Sequence, residues 1–100
     1  MPNLRITLLL PLSLEEKVSD YFLCDPSIGV FTSRVVSVHG LSNSMLNSAE
    51  QVMGSAKETE IVVVVDEERF ELWISEFERL FTSSGIRYWS TPIYRSGVLV

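Results

Sequence analysis

Apolar and polar residues alternate along residues 3–10: Leu4, Ile6, Leu8 and Leu10 fall on one face, Arg5 and Thr7 on the other. This period of two predicts a first strand, and Pro11, which has no amide hydrogen for a sheet ladder, ends it. Leu14, Val18, Tyr21 and Phe22 then recur at helical spacing, with Glu15, Lys17 and Asp20 elsewhere on the surface. Ser13 followed by Glu16 has the pattern of a capping box, so a helix is expected to open there and to stop at Asp25-Pro26. Alternation returns through Phe31, Ser33, Val35 and Ser37, predicting a second strand over residues 30–38 that leaves through His39-Gly40.

Residues 40–56 are dominated by Ser, Asn and small side chains, and connections of this length tend to be functional or mobile. A short helix within it would be capped by Asn47 or Ser48, with Glu50 or Gln51 closing the box and Gly54 ending it. A third strand is predicted over residues 58–65. Asp66-Glu67-Glu68 then place acids where they favour a helix dipole. The second main helix runs to about Phe81, with Phe70, Trp73, Ile74, Phe77, Leu80 and Phe81 as its apolar stripe. Ser83-Ser84-Gly85 turn the chain into a fourth strand over residues 86–91, closed by Pro92. The tail, residues 93–100, is predicted to add a short strand around Tyr94 and Val98.

Two β-α-β halves joined through their middle strands interleave into a four-stranded antiparallel sheet with both helices on one face. The expected fold is therefore α+β, a ferredoxin-like βαββαβ sandwich, formed by residues 1–100 as a single domain. Helices on one face leave the other open, and an open face should be polar. The third strand departs from this: Val62 and Val64 point opposite to Ile61, Val63 and Val65, and Leu9 joins the second face. An apolar face of that kind needs a cover. Self-association is the simplest cover; the alternative is that the tail folds back over it.

Composition narrows the function classes. The length suits one core, and 46% apolar with 21% charged residues is ordinary for a globular chain. A net charge of −5 with scattered Lys and Arg gives no basic patch to neutralise phosphates, so no nucleic-acid partner is expected. Cys24 is the only cysteine, which excludes an intrachain disulfide and fits a reducing compartment. The apolar start is cut by Pro11 and has no small-x-small cleavage site, so it reads as a strand, not as a secretory leader. No apolar run approaches the length of a membrane span. A cytoplasmic location without direct membrane insertion is expected.

Three segments carry a family resemblance. They are Pro11-Leu12-Ser13-Leu14-Glu15-Glu16, then His39-Gly40 with Ser48-Ala49-Glu50-Gln51-Val52-Met53-Gly54, then Tyr88-Trp89-Ser90-Thr91-Pro92 with Gly97. In order and near spacing these are similar to the PII-like proteins, and most of all to the bacterial family called domain of unknown function 3240. The resemblance covers essentially the whole chain. It implies a ferredoxin-like homotrimer whose sheets line the central interface. It further implies a regulatory or sensing role: PII proteins bind adenine nucleotides in clefts between subunits and present the loop after strand two to a transporter or enzyme. Members of the closer family are often encoded beside heavy-metal efflux systems, which implies a possible membrane transporter partner. This chain departs from nucleotide-binding PII proteins at the turn before strand four. There a Gly-rich, Lys- or Arg-bearing loop holds phosphates, whereas Thr82-Ser83-Ser84-Gly85 has one glycine and no basic residue. The loop after strand two also lacks the tyrosine that PII proteins modify.

The candidate ligand-binding residues are Arg34, His39, Gly40, Glu50, Gln51, Gly54, Lys57, Arg87, Tyr88 and Trp89. Arg34, Lys57 and Arg87 would line an anion-accepting cleft or simply be solvated; Tyr88 and Trp89 would stack on a purine ring or pack. His39, Cys24, Met45, Met53 and Glu50 are side chains suited to a soft or borderline metal, without ligand spacing inside one chain. A trimer would gather one His39 from each copy; the plainer role for His39 is to end strand two. The sequence identifies no cofactor. His39, the only histidine, is not accompanied by a nucleophile-elbow motif, so an enzyme is not expected. Three readings follow: a PII-like sensor signalling through residues 40–56, a metal-binding accessory protein of an efflux system, or an assembly module without a small ligand.

Overall fold

The computed structural model describes residues 3–41 and 46–100, apart from the Met53 side chain. Its elements are β1 (Asn3–Pro11), a 3-10 turn (Leu12–Leu14), α1 (Glu15–Leu23), β2 (Phe31–His39), α2 (Ser48–Met53), β3 (Ser55–Asp66), α3 (Glu67–Leu80) and β4 (Arg87–Ile93). The strands form one sheet in the order β2-β3-β1-β4, and each neighbouring pair is antiparallel. This is the ferredoxin-like topology expected from the sequence.

Register explains the two faces. Ile6 lies opposite Val63 and Leu8 opposite Ile61, so the even residues of β1 share a face with the odd residues of β3. On that face Ile6, Leu8, Leu10 and Ile61 are fully buried, and α1 and α3 close over them with Val18, Phe22, Trp73, Ile74 and Phe77. The Phe22 ring stacks on Trp73 and on Phe77, with centroids 5.8 and 6.0 Å apart, and meets Phe31 edge-on at 5.4 Å. Offset and edge-on ring pairs of this kind add to the stabilisation that burial already supplies.

Several expectations are corrected at the ends of elements. No capping box forms at Ser13: the 3-10 turn begins directly after Pro11, and α1 starts at Glu15 without a side-chain cap. Pro11, at φ −55° and ψ 144°, takes the cap position itself, which leaves Ser13 inside the turn and away from it. Pro92 does not close the last strand. It lies opposite Leu4, and β4 continues to Ile93. On an edge strand its missing donor can face outward at no cost to the ladder. The tail forms no strand and covers nothing: Tyr94, Leu99 and Val100 are fully exposed.

Within residues 40–56, of which 42–45 lie outside the described residues, α2 forms. Asn47 Oδ1 accepts from the Glu50 amide at 2.9 Å, while Glu50 Oε1 accepts from the Asn47 amide at 3.0 Å. That reciprocal pair is the capping box, with Asn47 as the cap. Gly54 closes the helix at φ 72°, a left-handed conformation that suits glycine. β3 starts at Ser55, earlier than its apolar run suggested. The β2–β3 hairpin therefore extends past β1, and Ser55, Ala56 and Lys57 pair with β2 alone.

Candidate functional site

At the end of the sheet where β1 finishes, a cleft of about 240 Å³ opens between α2 and the turn that precedes β4. Its lining comes from distant parts of the chain: Pro11 and Leu12 after β1, Glu50 of α2, Ala56, Lys57 and Glu58 of β3, and Ser84 with Gly85. Each wall has a local cause. Pro11 ends β1 and turns the chain away, the capping box holds Glu50, and Ser84 steadies the last turn by accepting from the Ile86 amide at 3.3 Å.

Glu58 lies opposite Pro11 on one side and Val36 on the other. Only 7% of it is exposed. It makes no hydrogen bond among the described residues. Burial pushes its carboxyl above the usual range; the Arg87 guanidinium pulls the other way and the Glu50 carboxylate adds to the rise. Neighbouring Lys57 donates to Ser37 Oγ at 2.6 Å, across the β2–β3 pair.

Of the residues nominated by the sequence, Glu50 and Lys57 line the cleft, and Arg87 acts on it through Glu58. Arg34 is engaged elsewhere, its Nε donating to Glu60 Oε1 at 3.0 Å on the open sheet face. Gln51 donates to the Leu46 carbonyl at 3.2 Å. His39 is exposed at the end of β2, opposite Ser55, and Gly40 follows it at φ 85°. Tyr88 and Trp89, neighbours in β4, point to opposite faces and so do not form one stacking platform. Tyr88 donates to Glu78 Oε1 at 3.2 Å on the helix side, and burial with that bond raises its hydroxyl pKa. Trp89 lies beside Thr7 on the open face.

No group of three or more His, Cys, Asp or Glu suited to a metal occurs among the described residues. Met45 and the Met53 side chain, nominated with His39, lie outside them. Cys24 is an exposed free thiol. No helix among the described residues is long and apolar enough to cross a membrane. Sequence reasoning missed Glu58. Its position beside a strand-ending proline becomes apparent only when β1 and β3 are paired.

A four-stranded antiparallel sheet with two helices on one face defines an α+β protein of ferredoxin-like architecture. The chain belongs to the family described as Protein of unknown function (DUF3240), whose model matches residues 1–100. Among solved structures it is similar to a DUF3240 family protein from Shewanella baltica OS155, with a TM-score of 0.80 at 12% identity, covering 98% of this chain and 97% of that one. It is also similar to the periplasmic divalent cation tolerance protein CutA from Archaeoglobus fulgidus, with a TM-score of 0.67 at 14% identity, covering 96% and 87% respectively. At these identities the likeness concerns the fold. No curated protein matches the chain.

Proposed function

We propose that this chain is a homotrimeric PII-like regulatory protein that binds a small ligand in the cleft and reports its presence through residues 40–56. The observation that carries this reading is the position of Glu50. It belongs to α2, the helix within residues 40–56, and it lines the cleft together with Ser84 and Gly85. A ligand held there would favour one arrangement of α2 over another, which is what a reporter segment requires. The open apolar sheet face supports assembly, because Val64 and Trp89 are exposed there and Val62 and Leu9 beside them only half-buried. Within this reading the protein is a cytoplasmic binding protein and not an enzyme, and its partner is a membrane transporter of a heavy-metal efflux system.

A native mass spectrum taken with and without adenine nucleotides and divalent or cuprous ions tests the proposal. A trimer that gains up to three ligand masses, with residues 40–56 protected from proteolysis, is the expected result. A stable monomer would overturn the assembly and the sensor reading together.

A second reading is favoured by the name of the CutA neighbour, a divalent cation tolerance protein. Here the chain is a metal-binding accessory protein that gathers His39 from three copies. One metal per trimer, lost in His39→Ala, would support it; unchanged metal uptake in that variant would remove the His39 site. A trimer that takes neither nucleotide nor metal corresponds to the assembly module.

A further inference from the structure

The cleft combines two carboxylates with a small apolar floor, and its charges are not balanced by bonded partners. Glu58 is more than nine-tenths buried, lines the space, and has no hydrogen-bond partner among the described residues. Its carboxylate oxygens keep some contact with water, while burial of the rest of the residue disfavours the ionised form. Glu50 lines the same cleft, one of its oxygens committed to the Asn47 amide at 3.0 Å, leaving the other available.

The nearby cations do not fill the gap. Lys57 is the next residue along β3, so its side chain leaves the opposite face of the strand, where it donates to Ser37. Arg87 attracts Glu58 without bonding to it, and burial outweighs that attraction. Pro11, Leu12 and Ala56 add apolar surface to the same cleft. At about 240 Å³ the cleft is smaller than the usual range for drug-sized ligands, which begins near ~300 Å³.

Building on the sensor reading, we propose that the cleft takes a small aliphatic ammonium compound, with the ammonium between Glu58 and Glu50 and the carbon chain against Pro11, Leu12 and Ala56. An ammonium offers three donors to acceptors that lack them, and its charge relieves the buried carboxylate. A phosphate ligand would meet two acids. A bare divalent ion would find two carboxylates where hard cations take six or more oxygen ligands.

The test is an amide NMR titration of the full chain with putrescine, run beside adenosine monophosphate and magnesium chloride. Putrescine should shift the amides of Glu50, Ala56, Lys57, Glu58, Ser84 and Gly85. In Glu58→Gln, which keeps the shape and removes the charge, its affinity should fall roughly ten- to hundredfold. Thermal melting of that variant, unchanged or raised at neutral pH, would show that the loss does not come from unfolding. Putrescine binding that is indifferent to Glu58→Gln overturns the proposal. Shifts at these amides with the nucleotide or magnesium, and none with putrescine, overturn the ligand class while leaving the sensor reading in place. Silence to all three overturns both.

Discussion

On the helix-covered face of the sheet, Ile6, Leu8, Leu10, Ile61 and Val63 are sealed from water beneath α1 and α3. On the opposite face the same strands present Leu9, Val62, Val64 and Trp89, with Val64 39% and Trp89 47% exposed. The side-chain period of two makes these faces chemically independent, since neighbours along one strand never share a surface. The covered face carries the stability of the single chain. The open face carries apolar residues that stabilise little until something lies on them. Arg5, Arg34, Arg87, Glu58 and Glu60 occupy this open face with the valines. It thus has charge to set orientation as well as apolar surface, as interfaces do.

The largest expected effect comes from the covered face. Phe22→Ala removes a fully buried ring that stacks on two others, and should cost roughly 3–5 kcal/mol. With the whole fold stabilised by about 5–15 kcal/mol, denaturant melts should show a chain close to unfolding. A loss well below that range would mean that the aromatic cluster repacks.

Val62→Asp probes the other face. Val62 sits between Thr7 and Thr32 in the register, so a carboxylate there meets no cover in the single chain. Circular dichroism should stay nearly unchanged while native mass spectrometry shows the trimer lost. A trimer that survives would show that the open face is not the interface.

Smaller is the effect of Tyr21, at the rim of the covered face. Burial first, then the Glu76 carboxylate, pushes its hydroxyl up to about 12. An unfolded chain releases this proton near its ordinary value of 10, whereas the folded one keeps it. The folded state therefore holds more protons inside that window, and stability falls as pH rises from about 10 to about 12. Tyr21→Phe should flatten this part of the stability curve; an unchanged slope would place its cause elsewhere.

The smallest change is expected for Arg34→Ala on the open face. The Arg34 side chain is 71% exposed in its pair with Glu60, and such surface pairs contribute up to about 1 kcal/mol. A shift in assembly without a shift in melting would assign the pair to the interface and not to the fold.

The fold was legible because it rests on periodicity. Leu4, Ile6, Leu8 and Leu10 declare a strand face, and Trp73, Ile74 and Phe77 declare a helix stripe, before any contact is known. The α2 capping box was legible as a choice between Asn47 and Ser48 and between Glu50 and Gln51. Backbone conformation selects Asn47 and Glu50, because the cap residue must stay extended while its side chain reaches forward. Ser13 shows the limit of such patterns: Pro11 two residues earlier imposes a 3-10 turn that no spacing rule weighs. The predicted tail strand did not form: β4 leaves one edge of the sheet free, but the chain after Ile93 does not turn back to pair with it.

The sequence by itself determined the elements, their order and the presence of an apolar second face, since each follows from the spacing of side chains along one strand or helix. Only the tertiary structure decided which charges meet. Pairing β1 with β3 sets Glu58 against Pro11, and packing α2 near the Ser84–Gly85 turn brings Glu50 into the same cleft. Arg34 is taken out of the cleft by its register with Glu60. Local spacing cannot encode these meetings, because each depends on the register and approach of segments far apart along the chain.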